Sequence, residues 1–102
     1  MPARDILIIV PLFNEEGSLE RLKEEMDIFM SACEHNISVL FVDDGSVDRS
    51  PEIIRDICSK DSRYAYITLD RNMGLSAALK AGIDNADSKW VAYIDSDLQT
   101  SP

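Results

Sequence analysis

Four short apolar runs, each closed by a polar cluster and separated from the next by a segment of helical periodicity, constrain this chain more than any other feature. The first, Ile6-Leu7-Ile8-Ile9-Val10, is continuous rather than alternating, which is the pattern of a strand buried on both faces. Pro11 is expected to end it. The second, Ile37-Ser38-Val39-Leu40-Phe41-Val42, runs into Asp43-Asp44-Gly45-Ser46, and the third is Tyr64-Ala65-Tyr66-Ile67-Thr68-Leu69. The fourth, Trp90-Val91-Ala92-Tyr93-Ile94, ends in Asp95-Ser96-Asp97-Leu98-Gln99.

Between the runs lie three helical segments. Ser18 reads as the N-cap of a helix carrying Leu19, Leu22, Met26, Phe29, Met30 and Cys33 on its apolar face. Ser50-Pro51 starts a second, with Ile53, Ile54, Ile57 and Cys58 inward, proline being tolerated at the first helical position. The third carries Leu75, Ala78, Leu79, Gly82, Ile83 and Ala86, whose small residues permit close packing on a sheet. Strands and helices alternating through short links specify a doubly wound α/β fold: a parallel sheet with right-handed crossovers and helices on both faces, a three-layer sandwich. A strand order of 3-2-1-4 sets the first and fourth strands side by side.

In such sheets ligands bind beyond the carboxyl ends of the strands. Three of the four ends carry polar clusters here: Asn14-Glu15, Asp43-Asp44 and Asp95-x-Asp97. Side chains two apart on a strand share a face, so Asp95 and Asp97 converge. Two carboxylates about 4 Å apart repel by about 4 kcal/mol at an effective dielectric near 20, and a divalent cation reverses the sign. Oxygen donors suit Mg²⁺ or Mn²⁺, and Gln99 offers a third. Asp43 and Asp44, adjacent on a strand, face opposite ways, so one can meet a ligand while the other turns to the loop and helix.

The 102 residues carry a net charge of −9, which excludes a phosphate-neutralising nucleic-acid surface and a polybasic membrane anchor. An anionic ligand would need a metal or backbone N–H groups to offset that charge. The apolar run Ile6–Phe13 is far short of the ~20 residues that span a bilayer, so the segment is expected to be soluble. Cys33 and Cys58 read as buried free thiols without metal-site spacing, and His35 as a surface residue. Gly74 belongs to neither phosphate-loop pattern.

Taken together, Val10-Pro11-Leu12-Phe13-Asn14-Glu15-Glu16, Val42-Asp43-Asp44-Gly45-Ser46-Val47-Asp48, Arg71-Asn72-Met73-Gly74-Leu75-Ser76-Ala77-Ala78 and Asp95-Ser96-Asp97-Leu98-Gln99 resemble the amino-terminal half of a family 2 glycosyltransferase, above all its dolichyl- and polyprenyl-phosphate sugar transferase branch. The resemblance covers essentially the whole chain. It implies a GT-A fold binding a nucleotide diphosphate sugar, with residues 1–102 forming the nucleotide-sugar-binding half, truncated after the D-x-D motif. Positions matching Pro11, Phe13, Glu15, Val42 and Asp44 would line the nucleoside pocket, Asp44 hydrogen-bonding the base or ribose. Arg71 would face the diphosphate or base, or stand in solvent. Asp95, Ser96 and Asp97 would form the D-x-D, and Asp95, Asp97 and Gln99 would hold Mg²⁺ or Mn²⁺, Asp97 being the catalytic member. Phe13 departs from the more usual tyrosine, which keeps stacking but removes a phenolic hydrogen bond.

The implied reaction is inverting transfer of a hexose to a polyprenyl or dolichyl phosphate at the cytoplasmic face of the membrane. The fragment alone is expected to be inactive, because the family's acceptor site and base follow the D-x-D, and to self-associate as a homodimer through the apolar edge of its fourth strand. Two alternatives stand beside this: a nucleotide- or metal-binding module without chemistry of its own, and a phosphatase of the haloacid dehalogenase type, whose D-x-D-x-T Asp95-Ser96-Asp97-Leu98-Gln99-Thr100 approaches but misses by one place.

Overall fold

A computed structural model of the chain describes residues 6–86 and 90–94. Its elements alternate as β1 (Ile6–Leu12), α1 (Leu19–Ala32), β2 (Ile37–Asp43), α2 (Ser50–Lys60), β3 (Tyr64–Thr68), α3 (Leu75–Asp84) and β4 (Trp90–Tyr93). The strands form one sheet ordered β3-β2-β1-β4, parallel at every pairing. This is the expected 3-2-1-4 order.

The continuous apolar runs do what burial on both faces requires. From β1, Ile8, Val10 and Leu12 join Val39 and Phe41 of β2 beneath α1 and α2, against Leu19, Leu22, Met26, Met30, Ile54 and Ile57. The alternate set, Leu7 and Ile9 with Leu40 and Val42, meets Ala78 of α3 on the other face. Phe41 and Tyr64 stack at 5.7 Å within the first layer. On the α3 side a β-carbon at Gly82 would come within 2.8 Å of Ile9 Cγ2, so the helix rides directly on β1 because that position has no side chain. The helix seats through Ala78 and Gly82, and Leu75 and Ile83, expected inward, flank that stripe and stay exposed.

Pro11 does not end β1. The strand continues through it to Leu12, which is paired with Asp43. The reason lies in direction: Ile6 donates to Asn36 O and Leu12 O accepts from Asp44 N–H, so even positions serve β2, whereas Ile9 O accepts from Ile94 N–H on the β4 side. The N–H that proline lacks therefore falls toward β4 and above its last paired residue, Tyr93 opposite Ile9. The β2 ladder is untouched.

The serines expected to cap helices behave differently. Ser18 occupies the cap position of α1, but its hydroxyl donates to Glu15, at 3.3 Å to the carbonyl and 3.0 Å to Oε1. Ser50 lies inside α2, with Arg49 in the cap position. Phe29 of α1, expected on the apolar face, is exposed. Cys33 and Cys58 are free and half-buried, and burial pushes the Cys58 thiol up to about 11, with a smaller contribution from the Asp61 charge.

At the end of the sheet remote from the strand carboxyl termini, one polar cluster clamps α1, α2 and β3. Asp27 accepts from Lys23 at 2.6 Å, Arg63 at 3.1 Å and the Tyr64 hydroxyl at 2.8 Å, and Arg63 also grips Asp61 at 2.6 Å. β4 is the least covered element: Trp90, Val91, Ala92 and Tyr93 are all exposed. No described helix is long and apolar enough to cross a membrane.

Candidate functional site

The parallel order brings the loops after β1, β2 and β3 to one end of the sheet, and β4 runs to the same end beside β1. There the first two loops are stitched side by side. Asn14 N–H donates to Ser46 Oγ at 2.8 Å, and Asn14 Oδ1 accepts from the amides of Val47 at 2.9 Å and Asp48 at 3.4 Å. Glu15 N–H donates to Ser50 Oγ at 2.9 Å, and Glu16 N–H to Asp48 Oδ2 at 3.1 Å. Asp48 Oδ1 also takes the Ser50 amide at 2.8 Å. Burial alone would raise the Asp48 carboxyl, but the donors of Ser50 and Glu16 hold it below its ordinary value. Asn14 sits at φ +54, a left-handed conformation that asparagine tolerates better than most residues. Asn14, Ser46, Asp48 and Ser50 thus form a clasp between loops, a role the sequence reading did not give them. Its only signal was the co-occurrence of turn-forming side chains after two adjacent strands.

The third loop is tied in through Asp44 and Gly45. Asp44 Oδ1 accepts from Met73 N–H at 2.7 Å and Oδ2 from Gly74 N–H at 2.9 Å, which also satisfies amides at the start of α3. Gly45, at φ +77, presses its α-carbon on the next loop: a β-carbon there would lie 2.4 Å from the carbonyl carbon of Arg71. Asp43 faces the α1 and α2 layer, fully buried, and its Oδ1 accepts from Ser46 N–H at 3.0 Å. Its Oδ2 has no hydrogen-bond partner among the described residues. The two aspartates do face opposite ways. Asp44 binds the loop that leads into α3, with both oxygens engaged and only 5% of the residue exposed, and Asp43 binds the turn that follows its own strand.

The remaining sites fall into three groups. Phe13 and Arg71 are exposed at the mouth, and Glu15 is half-buried, its carboxylate held by the Ser18 hydroxyl. A cleft of about 470 Å³ opens beside Leu69, Asp70, Arg71 and Met73. Pro11 and Val42 are buried, facing the α3 layer beneath the mouth. Asp95, Ser96, Asp97 and Gln99 lie outside the described residues, where β4 is followed only to Ile94. Among the described residues no group of three or more His, Cys, Asp or Glu side chains is placed to hold a metal ion.

A parallel sheet ordered 3-2-1-4 with polar loops gathered at its carboxyl end is the arrangement that GT-A glycosyltransferases share. The chain belongs to glycosyl transferase family 2, whose family model matches residues 7–102. It is 42% identical over 99 residues to the uncharacterized glycosyltransferase YkcC of Bacillus subtilis, covering 93% of this chain and 29% of that protein. It is 36% identical over 98 residues to an undecaprenyl-phosphate 4-deoxy-4-formamido-L-arabinose transferase of Aeromonas hydrophila, covering 95% and 30%. Among solved structures it resembles the mannosyltransferase PcManGT of Pyrobaculum calidifontis, determined with GDP-Man and Mn²⁺, at a TM-score of 0.78 and 21% identity, covering 94% of this chain and 28% of that one. The chain therefore spans less than a third of the length of these curated relatives. Family membership takes the place of the haloacid dehalogenase alternative.

Proposed function

We propose that the protein carrying this chain transfers a sugar from a nucleotide diphosphate sugar to a polyprenyl phosphate, and that residues 1–102 supply nucleotide and metal binding. The observation that carries this reading is the clasped set of loops after β1, β2 and β3 at the sheet end toward which β4 runs, the strand that the D-x-D follows in sequence. Relatives named for transfer to undecaprenyl phosphate support the acceptor class, and a neighbour holding GDP-Man and Mn²⁺ supports the donor class and a divalent ion.

In this reading Phe13 stacks on the base, Pro11 and Val42 form the floor, and Glu15 and Arg71 border the nucleotide with Ser96. Asp44 lines the same pocket and meets the base or ribose. Asp95, Asp97 and Gln99 supply oxygen donors, a set whose hardness suits Mg²⁺ or Mn²⁺. A divalent cation held there would supply Lewis acidity toward the leaving diphosphate. Transfer proceeds with inversion, at the cytoplasmic face of the membrane where nucleotide sugar and lipid phosphate meet.

Calorimetry with nucleoside diphosphates and Mn²⁺ tests the binding claim: wild-type protein binds, and Asp97→Asn, which removes an anionic donor, binds at least tenfold more weakly. Unchanged affinity of the variant would remove Asp97 from the metal site. Labelled nucleotide sugar incubated with polyprenyl phosphate and the full-length protein tests the reaction, and absence of labelled lipid there would favour the non-catalytic module.

A further inference from the structure

We propose that Ser18 and Ser50 are positioning residues for the nucleotide: without meeting the ligand, their hydroxyls hold Glu15 by its carboxylate and by its main-chain amide, and so set where that carboxylate stands in the pocket. The inference deepens the nucleotide-binding reading above, in which Glu15 borders the nucleotide, and rests on it.

Three observations carry it. Each serine stands at the start of a helix with the composition of a cap, yet neither α1 nor α2 receives a side-chain cap bond. A capping hydroxyl serves an amide of its own first turn; these two are given to one residue of the loop after β1 instead. Ser50 Oγ accepts from Glu15 N–H at 2.9 Å, and Ser18 donates its hydroxyl to Glu15 Oε1 at 3.0 Å while its own N–H donates to the Glu15 carbonyl at 3.0 Å. The amide, the carbonyl and the carboxylate of Glu15 are thus all engaged. Next, Ser50 is fully buried in the first turn of α2, so its hydroxyl reaches neither water nor ligand and bears on the nucleotide only through what it holds. Asp48 locks this anchor from behind, its carboxylate taking the Ser50 amide at 2.8 Å and the Glu16 amide at 3.1 Å. Finally, the Ser18 bond is charge-assisted and therefore stronger than a neutral one, and it is made to a group whose place matters. A carboxylate accepts only, so it suits the N–H and O–H donors of a nucleoside and repels the diphosphate beside them.

Calorimetry of the full-length protein with Mn²⁺ and GDP or UDP, below the melting temperature of every variant, is the test. Ser50→Ala and Ser18→Ala should each weaken binding about fivefold, the equivalent of one net hydrogen bond. In a Glu15→Ala background either change should cost less than about twofold, because nothing is left to position. Losses that multiply in that background would overturn the proposal. So would a merely structural outcome, in which the serine variants melt lower but the folded protein binds as the wild type does. Ser18→Thr keeps the hydroxyl and should bind within about twofold of the wild type; a loss equal to that of Ser18→Ala would show that the hydroxyl is not the agent.

Amide hydrogen exchange of Glu15 gives a readout that needs no ligand: the amide is protected in the wild type, and in Ser50→Ala protection falls. Lack of protection in the wild type would refute the anchor even if the variants fail to fold. Were the wild type to bind neither nucleotide, the nucleotide reading would fail and this proposal with it, whereas wild-type binding without coupling to Glu15 would sink the proposal alone.

Discussion

Asn14 carries the junction between the first two loops, and its substitution should cost an amount that the geometry fixes. Its Oδ1 accepts one good hydrogen bond, from Val47 N–H at 2.9 Å, and one marginal bond, from Asp48 N–H at 3.4 Å. The site is exposed, so freed amides can turn to water, and the net loss is about 1 kcal/mol. Its backbone sits at φ +54, where an alanine costs roughly 1 kcal/mol more than a residue at ease there. Asn14→Ala should therefore lose about 2 kcal/mol in all. Asn14→Gly loses the acceptor but not the conformation, and should lose about 1 kcal/mol. Asn14→Asp keeps both an acceptor and tolerance of the left-handed region, and should lie within about 0.5 kcal/mol of wild type. Urea unfolding followed by circular dichroism at a common m value measures all three. In a domain of this size the alanine variant should melt about 8–16 °C lower. A glycine variant no better than alanine would refute the backbone part of the reasoning. An aspartate variant as poor as alanine would refute the acceptor part.

Gly82→Ala should lower stability by about 1 kcal/mol even though alanine is the better helix former, because the new methyl meets Ile9 Cγ2 at 2.8 Å; a rise in Tm would contradict the close packing of α3 on β1. The Asp61 carboxyl is held well below its ordinary value of 3.8 chiefly by the hydrogen bond from Arg63, while at Asp27 burial pulls upward and is outweighed by Lys23, Tyr64 and Arg63. For such depressed groups the unfolded chain binds protons first, so their stabilisation is complete above about pH 4 and is lost as the pH falls below it. Asp61→Asn should flatten that acid limb in a Tm profile from pH 7 to 2.5, and an unaltered limb would acquit Asp61. The exposed apolar strand β4 presents a template for strand pairing, so the 102-residue chain should dimerise at micromolar concentration by light scattering; a monodisperse monomer would count against the edge argument.

The order of the sheet, the two-faced burial of its central strands and the gathering of polar loops at one end were legible because each rests on a pattern that local chemistry enforces. The phase of the Asp43-Asp44 pair was not. A strand with one wet face announces by alternation which residues point inward, but β2 is buried on both faces, and its sequence reads the same from either side. Only contacts beyond the strand, the Ser46 amide of the following turn for Asp43 and the Met73 and Gly74 amides for Asp44, distinguish them. Pro11 was misread for a related reason: whether a proline stops a strand depends on which neighbour its missing N–H would have served. Ser50 has the composition of a helix cap, yet its hydroxyl is claimed by an amide 35 residues away in sequence.

How so acidic a chain could receive a diphosphate follows from where its donors are directed. Backbone amides at loop turns and helix starts are the usual means by which an α/β fold binds phosphate. Here the amides of Asn14, Glu15 and Glu16 go to Ser46, Ser50 and Asp48. Those of Ser46, Val47 and Asp48 go to Asp43 and Asn14. Those of Met73 and Gly74 go to Asp44. The same bonds that make the mouth rigid thus withdraw these amides from anion binding. In the nucleotide-binding reading proposed above, positive charge for a diphosphate comes from a side chain or a bound ion: among the described loops at this end of the sheet Arg49 and Arg71 carry it, and a cation on the D-x-D would add to it. Chelation of divalent metal should accordingly abolish nucleoside diphosphate binding while leaving the melting temperature of the ligand-free protein unchanged; tight binding in the presence of chelator would show that amides, not charge, hold the phosphates.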